Sequence, residues 1–166
     1  MKPYYQTILP NHMSSHMLKS YVYVLGLKNN KYYIGITNNP QRRFVEHSNN
    51  STKWVNQWTV DHSIGMNVFS LTHPLQEDVV TKEYMMTYGI MNVRGGTYSN
   101  FILNRNQLEI LQREFDTAYC RCFKCGADMA FGHSCSTTNH LKFCYYCHGT
   151  GHRTLKCPYR YRYEWG

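Results

Sequence analysis

The sequence predicts an α/β (α+β) fold, in which a small three-stranded antiparallel sheet flanked by helices precedes a small zinc-binding C-terminal module. Three observations predict it. Two β-rich runs, residues 21–27 and 32–37, are joined by Asn29-Asn30, turn chemistry that reads as a β-hairpin. Helical stretches over residues 76–88 and 104–118 follow a short apolar third strand, Val68-Phe69-Ser70-Leu71. All seven cysteines lie between Cys120 and Cys157, a clustering that suits metal ligation better than disulfides spread over a secreted domain.

Taken in order, residues 1–19 form a polar N-terminal segment without period, from which no element of the fold is read. The domain spans 20–118 and the zinc region, with its basic aromatic tail, 119–166. After the hairpin, Asn38 or Asn39 caps a helix whose first turn accepts Pro40. On that helix Arg43 and His47 are i and i+4 and share a face. Strand alternation puts Tyr21, Tyr23 and Leu25 on one side of the first strand, and Tyr33 and Gly35 on one side of the second. One surface thus collects two phenols, a guanidinium and an imidazole. Trp54 and Trp58, i and i+4, suit a short helical piece packed on the sheet. The helix over 76–88 turns Val79, Val80, Tyr84 and either Met86 or Tyr88 toward the sheet, puts Glu83 near that stripe, and ends at Gly89. The last helix lines up Leu108, Leu111 and Phe115.

The net charge is +8 and the pI about 9.1, with 17% of residues charged. A basic protein of moderate charge suits a polyanionic partner with a localised footprint. Fifteen tyrosines, several beside Lys or Arg, suit base stacking with phosphate contact. No apolar run approaches the roughly 18 residues of a membrane span, and no signal peptide is recognisable, so a soluble, intracellular protein is expected.

Tyr21-Val22-Tyr23, Tyr33-Ile34-Gly35, Arg43 ten residues after Tyr33 and His47 four beyond it form an ordered set. This set resembles the GIY-YIG nucleases over roughly residues 20–105, although the first triplet lacks its Gly and Ile36 stands where some relatives place Lys. The resemblance implies a metal-dependent DNA endonuclease. In it, Glu83 on the helix after the third strand holds Mg²⁺ or Mn²⁺, Arg43 clamps the phosphate, and Tyr33 activates water. Tyr23 orients that water or exchanges roles with Tyr33, and His47 relays a proton or holds phosphate. An Asn completes the set, with Asn100 the candidate and Asn92 the alternative. Arg42 and Arg94 are further phosphate contacts, although the Arg94-Gly95-Gly96 loop reads equally as a tight structural turn.

Cys144, Cys147, His152 and Cys157 are spaced Cys-x2-Cys-x4-His-x4-Cys, four ligands that can close a tetrahedral zinc site in few residues. The pattern resembles the retroviral-type zinc knuckle. Upstream, Cys122, Cys125, His133 and Cys135 look like a distorted copy, to which His140 or Cys120 also offers a ligand. A rival scheme joins Cys122, Cys125, Cys144 and Cys147 into one ribbon site; two zinc ions are preferred. Lys124, Tyr145, Tyr146, Arg153, Lys156, Arg160 and Arg162 are the available contacts for single-stranded nucleic acid.

The leading expectation is therefore an endonuclease acting on duplex or branched DNA, helped by its zinc region. Such a pairing suits a virus or mobile element. The alternative is a non-catalytic nucleic-acid-binding zinc-knuckle protein, for DNA or RNA.

Overall fold

The computed structural model describes residues 20–49, 52–123, 125–129, 134 and 142–160. The hairpin forms as its sequence dictates. Strands β1 (Tyr21–Leu27) and β2 (Lys31–Thr37) pair antiparallel, with Tyr23 opposite Gly35. Asn29 and Asn30 both take positive φ, 60° and 55°, the primed turn whose twist matches the strands. Asn39 caps α1 (Pro40–Ser48), its side chain accepting from the Arg42 amide, and Pro40 occupies the first turn. Helix α2 (Lys53–Trp58) carries the tryptophan pair, and β3 (Met66–Ser70) adds to the free edge of β1.

The sheet has four strands rather than three, in the order β3-β1-β2-β4. The addition, β4 (Val93–Gly95), runs parallel to β2. It is three residues long and ends in glycine, so it carries no alternation to read. Even-numbered strand residues Val22, Val24 and Ile34 meet α3 (Gln76–Tyr88) and α4 (Arg105–Ala118) in one core; Tyr23, Leu25 and Leu27 meet Trp54, Val55 and Val60 in another. Leu108, Leu111 and Phe115 form the buried stripe of α4, behind a capping box of Asn104 and Gln107.

Helix α3 differs from expectation. Its buried line is Thr81 and Met85, whereas Val79 is 43% and Tyr88 40% exposed; Val80, Tyr84 and Met86 pack against the core only in part. Tyr88 covers Tyr32 instead, ring centroids 4.4 Å apart.

The cysteine-bearing region is built into this core. Cys144, Tyr145, Tyr146 and Cys157 belong to the same buried cluster as Val22 and Ile34. The Ile90 and Met91 amides, just past α3, donate to the Tyr145 and Tyr146 carbonyls at 2.8 and 3.0 Å. On α4 the buried Asp116 accepts from Arg153, from Gln112 Nε2 and from the Tyr145 hydroxyl. Among the described residues no helix is long and apolar enough to cross a membrane.

Candidate active site and metal centre

The hairpin and α1 bring four predicted side chains together. Arg43 Nε donates to the Tyr23 hydroxyl at 3.1 Å, and that hydroxyl lies 2.8 Å from His47 Nε2. Because Arg43 can only donate, the phenol accepts there and its own proton is free for the imidazole. The rings of Tyr23 and Tyr33 both lie against His47, at centroid distances of 5.5 and 5.4 Å. Gly35 is required by this packing: a Cβ there would come within 2.5 Å of Tyr23 Cζ and collide with the hydroxyl. Arg43 also pairs with Glu46 at 3.0 Å, one turn on.

Burial sets the protonation states. It lowers His47 from 6.5 to about 4, with Arg43 adding to the shift and Glu46 opposing it, so the imidazole is neutral near pH 7. It raises Tyr23 to about 12, against the opposing bond from Arg43. Tyr33 is raised for the same reason, Arg43 opposing and Glu77 adding. Tyr23 is 1% exposed, whereas Tyr33 is only partly buried and no hydrogen bond to its hydroxyl is present among the described residues.

Glu83 is exposed, whereas the charge of a second carboxylate on α3, Glu77, reaches both tyrosines. Gly95 is paired with Ile34 of β2, and the next amide, Gly96, donates to Glu77 Oε1 at 3.0 Å, tying the start of α3 to the strand that carries Tyr33. Asp78 grips the same loop through the Thr97 amide and hydroxyl, at 2.8 and 2.6 Å. Burial raises the Glu77 carboxyl above its ordinary value; the Gly96 amide opposes this and Asp78 adds to it. Glu83 sits one turn past Val79 on the outward face and is exposed, with Val79. Glu77 heads the inward Thr81 and Met85 line. A half-buried carboxylate with one oxygen fixed by an amide fits a hard divalent cation.

Arg94 is a structural cation. It is 2% exposed, stacks on Trp54 at 4.3 Å, and donates to the carbonyls of Ile90, Val93, Asn100 and Phe101. It holds the turn and offers nothing to a phosphate. Asn100 lends only that main-chain carbonyl, its side chain exposed; Asn92 is engaged by Lys31 Nζ at 2.6 Å and by the Tyr88 carbonyl. Among the described residues no hydrogen bond joins either to the tyrosines, Arg43 or His47.

Cys144, Cys147, His152 and Cys157 each bring one donor atom within 4.8 Å of the others. Gly149 keeps the space open, a Cβ there lying 3.3 Å from Cys147 Sγ. Burial pushes the Cys144 thiol up to about 12 and raises Cys157 as well, the situation in which a bound dication stabilises thiolates. Three soft donors and one borderline donor in that space fit zinc.

Three of the expected nucleic-acid contacts are committed elsewhere. Tyr145 is 1% and Tyr146 4% exposed, Tyr145 wedged between Phe115, Tyr119 and Phe143. Arg153 spends its guanidinium on Asp116. Aromatic and basic residues beside zinc ligands read as a binding face only while nothing covers them. Arg42 and Lys156 are exposed, and Arg160 is partly so. Lys124, His133, Cys135 and Arg162 lie outside the described residues.

Residues 19–77 match the family model of the GIY-YIG catalytic domain. The matched stretch takes in Tyr23, Tyr33, Arg43 and His47 and ends on Glu77. No curated protein and no solved structure matches the chain. Residues 19–77 are thus similar to the catalytic domain of a nuclease family, and a Cys3His cluster compatible with zinc follows.

Proposed function

Given a GIY-YIG domain over residues 19–77, we propose that this protein is a divalent-metal-dependent DNA endonuclease whose working groups are Tyr23, Tyr33, Arg43, His47 and Glu77. The observation that carries the reading is the Tyr23 hydroxyl held between Arg43 Nε and His47 Nε2, with the Glu77 charge adding to the upward shift of both tyrosines.

Phosphodiester hydrolysis needs an activated water, neutralisation of the phosphoryl oxygens and help for the departing oxygen. Arg43 supplies the guanidinium for the phosphate, exchanging its exposed Glu46 partner for the stronger charge. Tyr33, the more accessible phenol, contacts the water. Tyr23, its hydroxyl fixed between Arg43 Nε and the neutral imidazole of His47, orients that water. When bound at Glu77, Mg²⁺ or Mn²⁺ supplies Lewis-acid polarisation of the scissile phosphate. The Cys144, Cys147, His152 and Cys157 cluster holds a structural zinc, because all four ligands come from protein and two of them are in the core. Arg42, Lys156 and Arg160 supply surface charge for the DNA backbone.

The test is nicking of supercoiled plasmid and cutting of a branched DNA by the wild type, Glu77→Ala and Glu83→Ala, with Mg²⁺, Mn²⁺ or EDTA. Metal-dependent cleavage by the wild type is expected, falling by about 10²-fold or more in Glu77→Ala and unchanged in Glu83→Ala. No cleavage of either substrate by the wild type, despite salt-sensitive binding, would replace the enzyme with a binding module.

A further inference from the structure

The C-terminal region contains one turn twice, twenty-two positions apart. In the copy that belongs to the Cys3His cluster, the Cys144 amide donates to the Gly149 carbonyl at 2.9 Å and the His148 amide to the Cys144 carbonyl at 2.7 Å. In the other, the Cys122 amide donates to the Ala127 carbonyl at 2.8 Å and the Gly126 amide to the Cys122 carbonyl at 2.7 Å. Each turn is closed by an antiparallel bridge at the matching place, Phe143 with Thr150 and Arg121 with Asp128. Each places a left-handed residue directly after its second cysteine, His148 at φ 59° and Gly126 at φ 78°. Position by position, Cys122 corresponds to Cys144 and Cys125 to Cys147.

The metal-compatible copy shows what this turn does: it holds the sulfurs of a Cys-x2-Cys pair close to further donors. In the other copy, both thiols are 8% exposed and neither is in a disulfide. What sets the pair apart from an ordinary buried cysteine is its backbone, which repeats the turn of the metal-compatible copy bond for bond. The two turns are also adjacent, since Arg153 reaches the Cys122 carbonyl at 3.5 Å from the loop between His152 and Cys157.

We propose that Cys122 and Cys125 are thiolate ligands of a second zinc ion, so that the chain binds two. This rests on the zinc reading of the Cys144 cluster.

The test counts zinc in the full chain, purified with reductant and without chelator, by elemental mass spectrometry. Two zinc ions per chain are expected, with one lost in Cys122→Ser/Cys125→Ser and one in Cys144→Ser/Cys147→Ser. The wild-type count stands by itself should a variant fail to fold. One zinc per chain, unchanged in Cys122→Ser/Cys125→Ser, overturns the second site and leaves the first standing; none overturns both. A Cys122 to Cys125 disulfide in protein purified without reductant, with one zinc per chain, would make the pair a redox element and also overturn the proposal.

Discussion

The Tyr23 hydroxyl lies 2.8 Å from Nε2 of His47, both side chains buried. The imidazole's value falls from 6.5 to about 4 on burial, so the unfolded chain binds the extra proton between these pH values. Stability contributed by neutral His47 is fully present above about pH 6.5 and is lost as pH falls toward 4, a loss of at most roughly 3 kcal/mol. Thermal melts of the wild type from pH 7 to 4 should show this decline, and His47→Gln should flatten it. A decline identical in the two proteins would mean that His47 is not held neutral.

Removing the other half of the contact tests the chemistry. Tyr23→Phe keeps the ring in its packing but strips Arg43 of an acceptor and His47 of a donor. A folded variant with cleavage reduced by about 10²-fold and DNA affinity unchanged is expected. Wild-type turnover in Tyr23→Phe would remove the Tyr23 hydroxyl from the mechanism.

Much of this site was legible in the sequence because it is local. Asn29-Asn30 sets the hairpin, the strand period places Tyr23 and Tyr33, and a four-residue step puts Arg43 and His47 on one face. The carboxylate was not legible. Apolar residues surround α3, with Val79 and Tyr88 outside and Met85 inside, so periodicity could not tell which side meets the sheet, and Glu83 was expected where Glu77 stands. Arg94 stayed open between phosphate contact and structural turn, and Tyr145 was misread, for a related reason: a buried cation stacked on Trp54, or a phenol bonded to Asp116, depends on partners distant in the chain.

The Gly96 amide fixes Glu77, and its own geometry leaves no room for a side chain. Its φ is 46°, and a Cβ would collide with Asp78 Oδ1. Gly96→Ala should therefore raise the Mn²⁺ concentration needed for half-maximal cleavage while DNA binding in EDTA stays as in the wild type. An unchanged metal requirement would separate Glu77 from the metal.

Arg94→Ala should act on the fold rather than on DNA. Four carbonyls lose a charged donor and Trp54 loses its stacked partner, a cost of roughly 3 kcal/mol or more and on the order of 10 °C in Tm. Calorimetry checks the first, and binding by the folded fraction, measured below Tm, should match the wild type.

Between α4 and the Cys3His turn lies a cavity of about 290 Å³ lined by Gln112, Lys142, His152, Arg153, Leu155 and Lys156. Arg153 is bound to Asp116, whereas Lys142 and Lys156 are exposed and make no ion pair among the described residues. If the DNA backbone follows this groove, each Lys→Ala change should weaken binding alike for different sequences and reduce the slope of log K against log salt by about 1. Unchanged slopes would route the DNA elsewhere.

Zinc removal should disable the nuclease domain from a distance. Cys144 and Cys157 are buried with Val22, Ile34 and Met85, and the Tyr145 and Tyr146 carbonyls hold the turn between α3 and β4. That turn leads through Arg94 to Gly96, which holds Glu77. Without metal, four ligands lose their common partner, and Cys144 must protonate or face uncompensated burial. A strong zinc chelator should therefore lower Tm by roughly 10 °C or more in a single transition, and cleavage should be lost even when Mg²⁺ is restored in excess. A chelated protein with unchanged Tm that still cleaves in Mg²⁺ would make the module an independent appendage, despite its place in the core.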